Sequence, residues 1–236
     1  MRKETKKYFF TVEGETEKWY FEWLQRTINS TAALYTVKFD CSIQKDPLKR
    51  AKGLIVLEKT EITHVMDRES EEKIHVQQFE TALNRMKYAE RIGKSIKYNL
   101  GYSNFAFELW IVLHKTDCNG SLAHRRQYLI PLNRAYSEQF EKLDQYKHED
   151  NFKRLLGKLT LDDVGQAIRR SKAITQTNQE NGYVLHQYKG YRYYKENPAL
   201  SIWEIVERIM GECGLIRTLN ATCVVDEMRV VRDVHL

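Results

Sequence analysis

The chain has 236 residues, enough for one sizeable core or for a domain with a smaller appendage. Its 42% hydrophobic and 11% aromatic content excludes a disordered chain, and no apolar run is long enough to cross a bilayer. A formal net charge of +6 points toward a polyanionic partner, though an ordinary basic surface would carry the same charge.

The first half alternates strand and helix patterns. Lys7 to Val12 reads as a buried strand, and Thr16 to Asn29 as a helix with Trp19, Tyr20, Trp23, Leu24 and Ile28 at helical spacing. Tyr35 to Ile43 is a second strand. Asp46-Pro47 starts a helix, aspartate suiting the cap and proline the first turn, which is expected to carry Leu54, Ile55 and Leu57 toward Lys59. Ile62 to Met66 is a third strand. Glu72 to Ile92 is helical, with Ile74, Phe79, Leu83 and Met86 on one stripe, and Ser95 to Leu100 is a fourth strand. Strands alternating with helices predict an α/β fold, a mostly parallel sheet flanked by helices with right-handed crossovers.

The second half reads as mainly helical. Leu122 to Ile130, Tyr136 to Tyr146, Asp150 to Leu156, Leu161 to Thr175 and Ala199 to Met210 are the helix candidates, and Thr222 to His235 has a late strand-like pattern. The expected division is an α/β domain over 1–115 and a mainly helical region over 116–236 that completes the fold. Residues 1–8 lead directly into the first strand, so no leader is expected. Cys41, Cys118, Cys213 and Cys223 are scattered, which argues against a structural zinc site and fits a reducing cytoplasm.

Ligands of an open parallel sheet bind at the carboxyl ends of its strands. Glu13 ends the first strand, in the stretch "EGETE", and Asp67 and Glu69 end the third, in "HVMDRES". Asp67 and Glu69 are two apart, so an extended exit from the strand projects both to one side. Three carboxylates on one sheet edge form a hard-oxygen site suited to Mg²⁺ or Mn²⁺. The alternative is a set of solvated loop carboxylates. Gly14 is expected to let a phosphate approach the backbone. Glu17 lies one turn into the following helix, suited either to its positive N-terminus or to orienting Glu13. Glu108 stands in an otherwise apolar segment, where an unpaired carboxylate is costly, so it needs a partner. His114 ends that segment and is more simply a core residue than a catalytic one.

Basic residues interleave with aromatic ones in "HRRQY" at 124–128, "RRSK" at 169–172 and "YKGYRYYK" at 188–195. Arg125, Arg126, Arg169, Arg170, Lys172, Lys189 and Arg192 are candidate phosphate contacts, and the tyrosines are candidates for stacking on unpaired bases. Ordinary exposed lysines and arginines would give the same pattern at any single patch.

In order along the chain, "EGETE" at 13–17, Asp67-Arg68-Glu69, "SNFAFELWIVLH" at 103–114, "YK" at 146–147 and "AIRRSKAI" at 167–174 resemble the RloB family, whose fold is the Toprim (topoisomerase–primase) domain. The resemblance covers nearly all but the last 20 or so residues. Two positions depart from it: Glu69 stands where the family more often has aspartate, and Phe105 replaces the usual proline. The resemblance implies a divalent-metal-dependent nuclease acting on DNA or on RNA such as tRNA, in bacterial defence against phage. Glu13, Asp67 and Glu69 would be its metal ligands, and Glu13, Asp67, Glu69, Glu17 and Glu108 its catalytic carboxylates. It also implies an ATPase partner and leaves a homo-oligomer possible. The alternative is a non-catalytic nucleic-acid-binding or regulatory subunit on the same fold, which an intact carboxylate set disfavours.

Overall fold

The structure, a computed structural model, describes residues 3–216 except Ser121. The late strand expected over 222–235 lies outside the described residues, as does Cys223.

Four strands, β1 (Thr5–Val12), β2 (Thr36–Ile43), β3 (Thr60–Arg68) and β4 (Ile96–Asn104), form one sheet in the order β2-β1-β3-β4, parallel throughout. Helices α1 (Glu15–Asn29), α2 (Pro47–Gly53) and α3 (Lys73–Ala89) make the crossovers. Alternation along each strand sends its side chains to two cores. On β1, Tyr8, Phe10 and Val12 enter one and Phe9 borders the other; on β3, Val65 enters the first, and Ile62 and Met66 the second.

The first core takes the buried face of α1, where Tyr20, Phe21, Leu24 and Ile28 are fully covered. Phe21 stacks on Phe10 with ring centroids 4.1 Å apart. Truncating a buried phenylalanine of this kind costs about 3–5 kcal/mol. The second half of the chain builds on the same core. Its helices are α4 (Glu108–Leu113), α5 (Leu129–Tyr136), α6 (Leu143–Tyr146), α7 (Glu149–Leu156), α8 (Leu161–Glu180) and α9 (Ile202–Glu212). Trp110, Tyr128, Phe152, Ile168 and Val206 join Phe10 and Phe21 in one cluster. Among the described residues no helix is long and apolar enough to cross a membrane.

Several expected elements differ. Helix α2 begins as predicted, with Asp46 Oδ1 accepting from the Leu48 and Lys49 amides at 3.0 and 3.4 Å. It stops at Gly53, because Lys94 Nζ donates to the carbonyls of Ala51, Lys52 and Leu54 and closes that end. Ile55 and Leu57 are therefore exposed loop residues. On α3, Ile74 is exposed while Phe79, Leu83 and Met86 are buried. The helix expected over 136–146 is broken at Ser137, whose left-handed backbone ends α5, and only α6 remains of it. The expected 122–130 helix is a short 3-10 turn over Arg125–Tyr128 running into α5.

The stretch at 188–195 contains a hairpin that periodicity did not reveal. Strands β5 (His186–Tyr188) and β6 (Tyr191–Tyr193) pair antiparallel around Lys189 and Gly190, both at positive φ. Tyr191, Tyr193 and Tyr194 are buried in the second core, Tyr193 lying 5.0 Å from the Phe79 ring. These three rings serve packing and are not free to stack on bases.

Candidate functional site

The chain leaves β1 toward β2 on one side and later returns as β3 on the other. The carboxyl ends of β1 and β3 therefore flank the point where strand order reverses, the crevice in which such sheets take ligands. Glu13, Asp67 and the start of α1 all open onto it.

Glu13 follows the last residue of β1, and its Oε2 accepts from the Asp67 backbone N–H at 3.1 Å. Gly14 comes next, in extended backbone at φ −150° and ψ −177° that any residue could adopt. Its value is room: a Cβ there would stand 3.1 Å from Glu17 Oε2. The glycine thus serves the close approach of the Glu17 carboxylate, a different reason from the one its sequence context suggested. Glu17 lies in the first turn of α1, buried, and its Oε2 also accepts from the Thr16 hydroxyl at 3.2 Å. Glu15 faces outward and pairs with Lys18 at 3.8 Å.

Glu108 opens α4 and is 1% exposed. Its Oε1 meets Lys147 Nζ at 3.0 Å, and its Oε2 is buried without a hydrogen-bond partner among the described residues. Lys147 follows α6, so a residue from the helical half enters the cleft built by the sheet. Asp67 ends β3 on the face shared with Val65, the side of α1 and α4.

The electrostatics of this group are cooperative. Burial raises the Asp67 carboxyl well above its usual value, and Glu17, Glu108 and Glu13 raise it further. Burial also raises Glu17, with Glu108 adding to it and the residue's own backbone N–H opposing. Burial raises Glu13 against the Asp67 hydrogen bond. Burial lowers the Lys147 ammonium, but Glu108, Asp67 and Glu17 outweigh it and hold the group above its usual value. Four carboxylates thus share one close lysine, and an excess of negative charge remains.

Glu69 behaves differently. It lies beyond the end of β3, and its Oε2 is held by Arg125 Nη1 at 3.0 Å and His75 Nε2 at 3.5 Å. It lines the same cleft of about 300 Å³ as Glu13, Glu17, Asp67 and Lys147. Hard-oxygen donors with uncompensated charge and an orphaned Glu108 oxygen fit a divalent cation by their chemistry. Glu13, Asp67, Glu17 and Glu108 are the residues that could hold one. Among the described residues, no three His, Cys, Asp or Glu side chains are gathered closely enough to hold a metal ion as they stand.

His114 is fully buried, bonded to the Tyr20 hydroxyl at 3.2 Å and the Trp110 carbonyl at 2.8 Å, and burial lowers it to about 4. It is a core residue away from the cleft. The basic candidates occupy separate places. Arg125 lines the cleft, while Arg126, Arg169, Lys189 and Arg192 are exposed. Arg170 donates to the carbonyls of Leu113 and His114 and pairs with Asp117, tying down the end of α4. Lys172 pairs with Glu207 and lies over Trp203. Lys147 belongs to the "YK" pair at 146–147 noted in the sequence, though nothing there assigned it a role, and Lys45, which also borders the cleft, carries no local sequence signal of that position.

No curated protein and no solved structure matches the chain. The family described as RloB-like protein matches residues 8–209, from within β1 to within α9, and so covers every element that builds the cleft. On that extent of match, this chain belongs to the RloB-like protein family.

Proposed function

We propose that the chain is a divalent-metal-dependent nuclease of Toprim type, cutting phosphodiester bonds in DNA or RNA. The single observation that carries this reading is that Glu13, Glu17 and Asp67 line one cleft at the carboxyl ends of β1 and β3, their carboxyl groups raised chiefly by burial, with the buried Glu108 of α4 adding its charge beside them. Such crowding is unfavourable for the fold and becomes favourable when a cation enters. Glu13 and Asp67 would hold the ion, with Glu17 and Glu108 behind them. The chemistry a bound Mg²⁺ or Mn²⁺ supplies is charge neutralisation at the scissile phosphate and the leaving oxygen. In the chain's own part, the Asp67 amide orients Glu13, and Lys147 holds Glu108 in place. Burial raises the Glu13 carboxyl above the ordinary carboxylate range, the direction that favours its holding a proton. Arg125 is placed to meet a substrate phosphate once it leaves Glu69. A role in defence against phage beside an ATPase partner is carried by the family resemblance alone.

The second reading, a non-catalytic nucleic-acid-binding or regulatory subunit, is favoured by one observation: Glu69 is taken up by Arg125 and His75. Titrating Mg²⁺ and Mn²⁺ into the protein with mixed DNA and RNA separates the two. Cleavage that appears with metal and vanishes in Asp67→Ala supports the nuclease. Neither cleavage nor a metal-dependent thermal shift would leave the subunit reading.

A further inference from the structure

We infer that the groove between α3 and the Lys45–Asp46 turn is a subsite for one unpaired nucleotide of the strand whose phosphate occupies the acidic cleft. The inference rests on the nuclease reading of that cleft.

The groove has a volume of about 600 Å³ and runs directly into the cleft, the two sharing Glu13, Lys45, Asp67 and Glu69 as walls. That is the size of a small-ligand site. Lys45 stands at the junction, exposed, with no carboxylate within ion-pair distance among the described residues. A free cation there suits the phosphate next to the scissile one. The two other cationic candidates are engaged: Arg85 Nε donates to Asp46 at 2.6 Å, and His75 is bonded to Ser70 at 2.7 Å.

Ile74, on the first turn of α3, is 54% exposed and lines the groove, although the rest of its stripe is buried. Its exposed face offers apolar contact to the flat side of a base. Gln77 and Gln78 border the same space, both exposed, and neither side chain has a hydrogen-bond partner among the described residues. Their amides can both donate to and accept from a base edge. A base inside a duplex cannot lie against Ile74 without leaving its stack, at a cost that a single strand does not carry. The substrate class is therefore a single strand, loop or end.

The test uses the full chain without divalent ions and measures fluorescence anisotropy of a short labelled single strand of mixed sequence, as DNA and as RNA, against the blunt duplex. Wild type is expected to bind the single strand about tenfold more tightly or better, the scale set by unstacking a base. Ile74→Asp should weaken single-strand binding about tenfold, and Lys45→Ala should reduce the log–log salt slope by roughly one unit. Gln78→Ala should flatten any preference among bases. Leu57→Asp, at a 96% exposed position that does not line the groove, should bind as wild type. Equal affinity for duplex, or wild-type binding by Ile74→Asp, would overturn the subsite. Repeating the series with Mg²⁺ or Mn²⁺ separates the two readings. The expected binding pattern with no cleavage supports the subsite and overturns the nuclease. Cleavage by Ile74→Asp with unchanged KM overturns the subsite and leaves the nuclease standing.

Discussion

The Glu13 carboxylate reaches from the end of β1 to the end of β3, where its Oε2 accepts a hydrogen bond from the Asp67 backbone N–H at 3.1 Å. The bond ties the two acidic positions into one unit and fixes the direction in which Glu13 points. Glutamine at position 13 keeps a carbonyl oxygen able to accept the same bond and removes the charge. Glu13→Gln should therefore fold as wild type, with kcat lowered on the order of 10²-fold and KM little changed. Steady-state cleavage assays decide it, and a wild-type kcat would rule out a catalytic Glu13.

Asp67 should trade stability against activity. Its carboxyl is raised by burial first and then by Glu17, Glu108 and Glu13, so the charged form burdens the fold at neutral pH. Asp67→Asn removes that charge at nearly constant shape. Its melting temperature without divalent ions should rise by a few degrees, about 2–4 °C for each 1 kcal/mol in a chain of this size. Cleavage and the metal-induced thermal shift should both be lost. A destabilised variant that still responds to Mg²⁺ would count against a metal-binding Asp67.

The pH dependence follows from the direction of the shifts. Glu13, Glu17 and Asp67 are all raised in the folded protein. Between the ordinary carboxylate value and the raised one, the folded state holds protons that the unfolded chain has released, so stability falls as pH rises. Asp40, Asp46 and Glu61 are lowered, with Lys7, Arg50, Arg85 and Arg208 as their cationic partners. Their contribution is present above the ordinary carboxylate value and is lost as pH falls through the lowered ones. Thermal melts without divalent ions should thus decline as pH rises above the ordinary carboxylate range, with Mg²⁺ restoring stability at the upper end of the decline and little at its start. In the triple variant Glu13→Gln, Glu17→Gln, Asp67→Asn the decline should disappear; its persistence would mean that other groups cause it.

Lys147 and Glu108 form the pair that links the helical half to the sheet edge, at 3.0 Å. Lys147→Met strands a buried carboxylate and should cost on the order of 2 kcal/mol, less than a fully buried pair because Lys147 keeps some solvent contact. Adding Glu108→Gln should recover most of that loss. Chemical denaturation of the two single variants and the double variant measures the coupling, and additive losses would show that the pair does not act as one.

The cations should divide by what they already hold. Arg125→Gln should lower the salt slope of nucleic-acid binding by roughly one unit with little loss of stability, since it faces the cleft. Arg170→Gln should leave the slope unchanged and lower the melting temperature, because its guanidinium donates to the Leu113 and His114 carbonyls. A reduced slope in Arg170→Gln would place nucleic acid on α8.

The four parallel strands and the helices between them were legible because local rules govern them. Apolar runs, the Asp46-Pro47 cap and the period of α1 depend on neighbours within a few residues. The same holds for the positions of Glu13 and Asp67, each at the end of a strand that the pattern marks. Where periodicity misled, a distant contact had the final say. Lys94 closes α2, which local pattern extends to Lys59, and a left-handed Ser137 cuts a helix that composition favours. Tyr193 looks like part of a stacking patch because tyrosine beside lysine reads the same whether it packs or projects, and only Phe79 and Tyr102 settle which.

What no local pattern could supply is which charges meet. Strand order places β3 beside β1, α4 aims Glu108 at the back of their crevice, and the end of α6 delivers Lys147 from the other half of the chain. The sequence alone therefore determined the parallel α/β frame and which carboxylates stand at its edge. The tertiary structure decided that Glu17 and Glu108 join Glu13 and Asp67, and that Glu69 turns to Arg125. The physical reason is one of range: propensity and periodicity act over a few residues, whereas burial and charge proximity act through space between residues far apart in the chain.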